Sequence, residues 1–210
     1  EGAARRGEYP EILLSVRGRL PKLRHVVLLA ETVQPGVQTW TEFLGLAERT
    51  DETSLGERVQ TVSGSDIFTI QYTSGTTGMP KGAMTSHAAY VSNTDAIADR
   101  QAWTSAEVVC LPSPLFHALG CLMGLATVTA GGAIALLERF NAADMLKVME
   151  NCRATSVAGT PTMFIAALKE FSQRKYDLSQ LRGGNISGAT CRPELVREVI
   201  ERMGAEEFGL

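Results

Sequence analysis

No two cysteines lie close together in this sequence. Cys110, Cys121, Cys152 and Cys191 form no C-x-x-C element, which argues against a zinc ribbon and against a dense disulfide framework. Sparse, unpaired thiols suit a reducing compartment, and a cytoplasmic location is expected. Cys110 and Cys121 sit among apolar neighbours and read as small core residues. Histidine is scarce too: His25, His87 and His117 have no H-E-x-x-H spacing. No run of like charge occurs and the net charge is −3, so nucleic acid is not an expected partner. The arginines and lysine at 5, 6, 17, 19, 22 and 24 are diluted by Glu1, Glu8 and Glu11, and this stretch reads as solvated surface. The uncharged stretch from Leu119 to Leu137 has a G-x-x-x-G at Gly120 and Gly124. Gly131 and Gly132 split it into a helix-length and a strand-length piece, so no transmembrane segment is expected.

With 210 residues and 44% hydrophobic content, the chain can bury one sizeable core. Strand-like segments alternate with helix-like ones. The strands are expected at 25–29, 67–72, 108–111, 133–137, 155–158 and 184–187. The helices are expected at 41–48, 87–98, 120–130, 142–151, 162–171 and 193–203. This order predicts an α/β fold, a mainly parallel sheet flanked by helices. The last helix is the best marked, with Pro193 at its start, Gly204 past its end, and Leu195, Val196, Val199, Ile200 and Met203 on one face. The polar stretch from Thr50 to Asp66 has no clear period and reads as a connecting loop.

The most specific feature is Y-T-S-G-T-T-G-M-P-K-G, from Tyr72 to Gly82. Gly75 and Gly78 allow backbone angles that turn several N–H groups toward one anion, and Thr73, Ser74, Thr76 and Thr77 add hydroxyl donors. Lys81 brings a mobile positive charge. A Walker loop would need glycine before its lysine and serine or threonine after it; here Pro80 precedes Lys81 and Gly82 follows. The dinucleotide spacing G-x-G-x-x-G is also not met. The stretch is a phosphate cradle of another kind.

At these residues the chain resembles the adenylate-forming superfamily of acyl-CoA synthetases, luciferases and peptide-synthetase adenylation domains. S-P-L-F-H-A-L-G (Ser113 to Gly120), G-T-P-T-M-F (Gly159 to Phe164) and S-G-A (Ser187 to Ala189) follow in that family's order. The resemblance places the whole of 1–210 in part of the large N-terminal domain, without the small C-terminal one. It implies that a carboxylate attacks the α-phosphorus of ATP to give an acyl-adenylate and pyrophosphate, after which a thiol takes the acyl group. Thr73, Ser74, Gly75, Thr76, Thr77, Gly78 and Lys81 would hold the phosphates, with Thr73 reaching Mg²⁺. Gly188, Ala189 and Thr190 would pass the adenine. His117 would orient the carboxylate, so that Lys81 and His117 are the catalytic pair.

The acyl group would be lined by His117, Ala118, Leu119, Gly120, Gly159, Thr160, Met163 and Phe164. No acidic residue lies between Val108 and Leu137 to pair a substrate ammonium, which disfavours an amino acid. P-L-F-H with G-T-P-T-M-F is most similar to the fatty-acyl branch, particularly medium-chain acyl-CoA ligases. Fatty acid, ATP and CoA are the expected partners, and a homodimer is left open. A ligase that passes the acyl group to a carrier protein and a nucleotide-binding module without turnover are the alternatives. The family's Mg²⁺-binding glutamate, ribose-binding aspartate and C-terminal lysine do not occur in this sequence. The resemblance therefore implies an excised piece of a longer enzyme, and these residues by themselves are not expected to form acyl-adenylate.

Overall fold

A computed structural model describes residues 8–29, 35–73 and 78–209. The chain divides into two compact units, Glu1–Val62 and Ser63–Leu210. In the first unit, α1 (Glu8–Val16) runs into a 3₁₀ turn at Arg17–Arg19. The short strands β1 (Val27–Leu28) and β2 (Gln38–Thr39) pair in parallel. Arg17 is more than solvated surface, since its guanidinium donates to the carbonyls of Gly36 (2.9 Å) and Arg24 (3.2 Å). Helix α2 (Trp40–Leu44) begins at a capping box in which the Thr39 hydroxyl accepts from the Glu42 N–H and the Glu42 carboxylate accepts from the Thr39 N–H. A 3₁₀ turn at Gly45–Arg49 extends it.

The stretch expected to be a loop after Thr50 contains a helix, α3 (Glu52–Gln60). Asp51 starts it by accepting from the Ser54 N–H at 2.7 Å and from its hydroxyl at 2.8 Å. The apolar residues that would betray its period, Leu55 and Val59, are exposed, so no buried stripe marks this helix in the sequence.

The second unit contains five parallel strands: β5 (Val108–Leu111), β6 (Ala133–Leu136), β7 (Ser156–Gly159), β8 (Gly183–Ile186) and β9 (Glu207–Gly209), in the spatial order β6-β5-β7-β8-β9. Helices α5 (Ala118–Thr129), α6 (Ala142–Asn151), α7 (Pro161–Gln173) and α8 (Pro193–Met203) connect them. The two-residue period of a strand sends alternate side chains to opposite faces. Val109, Leu111 and Ala158 pack with Trp103, Met123 and Ala126 on one face. Cys110 and Val157 pack on the other with Met145, Met149, Phe164, Leu195 and Val199 from α6, α7 and α8. The stretch from Leu119 to Leu137 is divided as its glycines require, into α5 and β6. A Cβ on Gly132 would lie 2.9 Å from the Glu107 carbonyl oxygen, so the chain can enter β6 this closely only without a side chain.

Two predicted strands do not join the five-stranded sheet: that at 25–29 is β1, paired with β2, and that at 67–72 forms a hairpin. Strand β3 (Ile67–Thr73) pairs antiparallel with β4 (Lys81–Ser86), and β4 leads straight into α4 (His87–Arg100). The link between Thr73 and Lys81 is too short for a parallel crossover, which needs a dozen residues or more, so the chain turns back on itself.

Candidate nucleotide and carboxylate site

The carboxyl ends of the parallel strands carry three of the sequence motifs. After β5, Ser113 to His117 form a turn in which the His117 N–H donates to the Pro114 carbonyl (3.0 Å). His117 is the N-cap of α5: its backbone is extended, its carbonyl accepts from the Cys121 N–H (2.8 Å), and its side chain makes no capping bond. That leaves the exposed imidazole free of the helix end it sits on. Gly120 lets the first turn of α5 press against this loop, because a Cβ there would meet the Pro114 carbonyl oxygen at 2.2 Å.

After β7, Thr160 is the N-cap of α7 and Pro161 its first residue, and the hydroxyls of Thr160 and Thr162 lie 2.9 Å apart. After β8, the Ser187 N–H donates to the Gly159 carbonyl at 3.0 Å. Gly188 then turns with φ +84°, a left-handed conformation that favours glycine, beside the Thr160 side chain. Ala189 and Thr190 are exposed beyond it. The Ser113 hydroxyl and the Met163 sulfur, 3.9 Å apart, join the first of these loops to the second. The loops after β5, β7 and β8 thus form one rim, the location in open α/β sheets where ligands bind.

The hairpin β3–β4 carries the ends of the phosphate-loop motif. Ser74, Gly75, Thr76 and Thr77 lie outside the described residues. Thr73 and Lys81 face each other as a cross-strand pair, with the Thr73 hydroxyl 3.5 Å from the Lys81 carbonyl. Directly opposed residues of an antiparallel pair project to one face, so Thr73 and Lys81 leave the hairpin on the same side. Gly78 closes toward β4 with φ +89°. Among the described residues no carboxylate pairs with Lys81, and none form a cluster of three acidic, histidine or cysteine ligands for a metal. A Mg²⁺ ion would fit here only as a passenger of polyphosphate oxygens and water, with Thr73 as a single added ligand.

A side chain outside the sequence-predicted set joins hairpin to rim. Gln71, in β3, donates from its amide nitrogen to the Phe116 carbonyl (3.4 Å) and accepts from the Tyr90 hydroxyl (3.2 Å). The sequence signal was a lone amide in an otherwise apolar and hydroxylic strand, I-F-T-I-Q-Y-T, two positions before Thr73.

The expected acyl wall is only partly open. Ala118 is exposed, and Leu119, Thr160 and Met163 are half-buried, whereas Gly120 and Gly159 are buried. Phe164 is fully enclosed and packs edge-on against Phe208 at 5.4 Å, so it supports the rim from within the core. An apolar cleft of about 110 Å³ lies elsewhere, lined by Phe68, His87, Tyr90, Val91, Thr94, Leu125 and Thr129.

A family model described as AMP-binding enzyme matches residues 9–209. The chain is 37% identical over 172 residues to the acyl-CoA ligase sidI of Beauveria bassiana, covering 81% of this chain and 30% of that protein. It is 33% identical over 194 residues to the mitochondrial medium-chain acyl-CoA ligase of Danio rerio, covering 90% of this chain and 32% of that protein. Among solved structures, an anthranilate CoA ligase in complex with anthranoyl-AMP superposes with a TM-score of 0.70 at 25% identity, covering 96% of this chain and 38% of that one. The chain thus spans about a third of the length of the relatives it matches. No helix among the described residues is long and apolar enough to cross a membrane.

Proposed function

The chain belongs to the AMP-binding enzyme family, and from that premise we propose that it supplies the nucleotide and carboxylate subsites of an ATP-dependent fatty-acyl-CoA ligase. The observation that carries this reading is the link from the Thr73/Lys81 hairpin to the His117 loop, at the carboxyl end of the sheet. In the first half-reaction a carboxylate oxygen attacks the α-phosphorus of ATP. The bond from that phosphorus to the bridging oxygen of the β-phosphate breaks, and pyrophosphate leaves. Little covalent help is needed from the protein; the charge must be held in line and neutralised. Lys81 and Thr73 serve the β- and γ-phosphates together with Ser74, Gly75, Thr76, Thr77 and Gly78. His117 orients the carboxylate. Gly188, Ala189 and Thr190 border the adenine. Thr73 would be the protein's contribution to holding Mg²⁺, which when bound would supply positive charge to offset the leaving pyrophosphate. In the second half-reaction the CoA sulfur attacks the acyl carbonyl and AMP departs.

The substrate is a fatty acid, medium-chain by its resemblance to the Danio rerio enzyme. Ala118, Leu119, Gly120, Gly159, Thr160, Met163 and Phe164 border or back the acyl subsite, and each methylene buried there would add about 0.8 kcal/mol, roughly fourfold in affinity. All four cysteines are free, which supports a reducing compartment such as the cytoplasm.

In the whole enzyme that contains this chain, Lys81→Ala is expected to slow fatty-acid-dependent pyrophosphate exchange about a hundredfold, the usual loss when one preorganised charge partner is removed. An unchanged exchange rate would overturn the role given to Lys81. Absence of any acid-dependent exchange in the unsubstituted enzyme would overturn the function.

A further inference from the structure

We propose that Gln71 is a positioning residue that holds the His117 loop in register with the phosphate-loop hairpin, an inference that rests on the acyl-adenylation reading above. The Phe116 carbonyl that receives the Gln71 amide belongs to the peptide joining Phe116 to His117. Whatever fixes that carbonyl fixes the plane from which the His117 side chain departs. The Phe116 ring cannot fix it by burial, since it is 78% exposed and, among the described residues, its one aromatic partner is the His117 ring itself, 5.2 Å away.

On the other side, Gln71 lies two residues before Thr73 on the same strand, so the two project to the same face of the hairpin. A shift of the phosphate cradle is therefore carried along β3 to the His117 peptide. At 3.4 Å the Gln71–Phe116 bond is long and can shorten as substrates close the site.

The Phe116 carbonyl, which can only accept, determines which way the amide points. Tyr90 on α4 is buried, and burial first, then the neighbouring Cys121 thiol, push the pKa of its hydroxyl up to about 12. It therefore stays a donor at any working pH. With the NH₂ group committed to that carbonyl, the Gln71 oxygen faces Tyr90 and accepts from its hydroxyl. Only an amide of this length meets both demands. Glutamate loses the donor, asparagine falls short of one partner, and an apolar isostere loses both.

The test compares single-turnover acyl-adenylate formation in the whole enzyme for Gln71→Met, Gln71→Glu and Tyr90→Phe, each alone and with His117→Ala. In the His117-containing enzyme, Gln71→Met should lower the rate about tenfold or more, because a small misplacement of a reacting partner is costly. Its KM for ATP should stay within about twofold of the unsubstituted value, since the phosphate contacts are untouched. Gln71→Glu should not rescue the rate, and Tyr90→Phe should give a smaller loss in the same direction. In the His117→Ala background, Gln71→Met should cost less than about twofold, there being no imidazole left to place. Equal losses in both backgrounds, or an unchanged rate in Gln71→Met, would overturn the proposal. Where Gln71→Met fails to fold, Tyr90→Phe decides by the same comparison, and an equal loss with and without His117 counts against it. An unsubstituted enzyme that forms no acyl-adenylate overturns the function and this proposal with it, whereas an active enzyme with additive losses overturns this proposal alone.

Discussion

Single residues at the rim set distances that no neighbour can supply. Gly120 is a clear case, because the first turn of α5 approaches the Pro114 carbonyl so closely that a Cβ would stand 2.2 Å from it. Backbone cannot yield as a flexible side chain can. Gly120→Ala is therefore expected to destabilise the protein by about 1–3 kcal/mol, the usual cost of overpacking a tight contact. Urea denaturation would measure it, and an unchanged midpoint would show that the loop moves away freely. The same position bears on the expected acyl wall. Gly120 and Gly159, expected along the acyl channel, are both buried, and Gly120 serves backbone approach. Phe164 was read as lining and is core. Sequence spacing identifies the motif to which a residue belongs; it does not say which side of the backbone is open. Gln71 illustrates the converse. Its amide stood out in an apolar strand, but its partners lie 19 and 45 residues away, beyond any local pattern.

At the scale of elements, those with a buried stripe were legible. The expected α6 and α8 agree with the structure at both ends, and β5 does too, since caps and periodic apolar residues mark their limits. Helix α3 was missed because its apolar residues face outward and its start depends on one side chain. The Asp51 carboxylate is held below its usual range by the hydrogen bonds from Ser54, backbone first and side chain second. A carboxylate whose pKa is lowered on folding stabilises the fold above its ordinary value near 3.8 and loses that contribution as pH falls through the folded value. Helix α3 is thus expected to fray below about pH 4 before the buried helices do. Far-UV circular dichroism of the protein and of Asp51→Ala should show this as an acid-sensitive fraction present in the first and missing in the second. Acid titrations that superimpose for the two would remove Asp51 from the account. The hairpin of β3 and β4 was half legible: its first strand had the right composition, but whether a strand pairs with the sheet or with its own continuation depends on the link between them.

For the whole molecule, the buried polar groups decide how the fold responds to alkali. Burial, and to a lesser degree the Cys152 thiol, pushes the Cys110 thiol from its usual value near 9 up to about 12, and Tyr90 reaches about 12 as well. Both are raised, so the unfolded chain gives up these protons first. Their contribution is complete below the unfolded values and is lost as pH rises toward the folded ones. Stability should fall from about pH 9 to about pH 12, and the fall should be shallower in Cys110→Ala. Guanidinium midpoints measured across that range would show it; equal slopes for the two proteins would contradict it. The alternation of strands and helices, the phosphate-loop motif and the order of the motifs that follow it were legible in the chain alone, because each is written in local spacing and residue type. That the three loops share one rim, that the flanks of the phosphate-loop motif form a hairpin outside the five-stranded sheet, and that Gln71 joins the two became visible in the folded chain. Those relations are made by strand order, by close backbone approach and by hydrogen bonds between distant segments, and none of these has a local period to read.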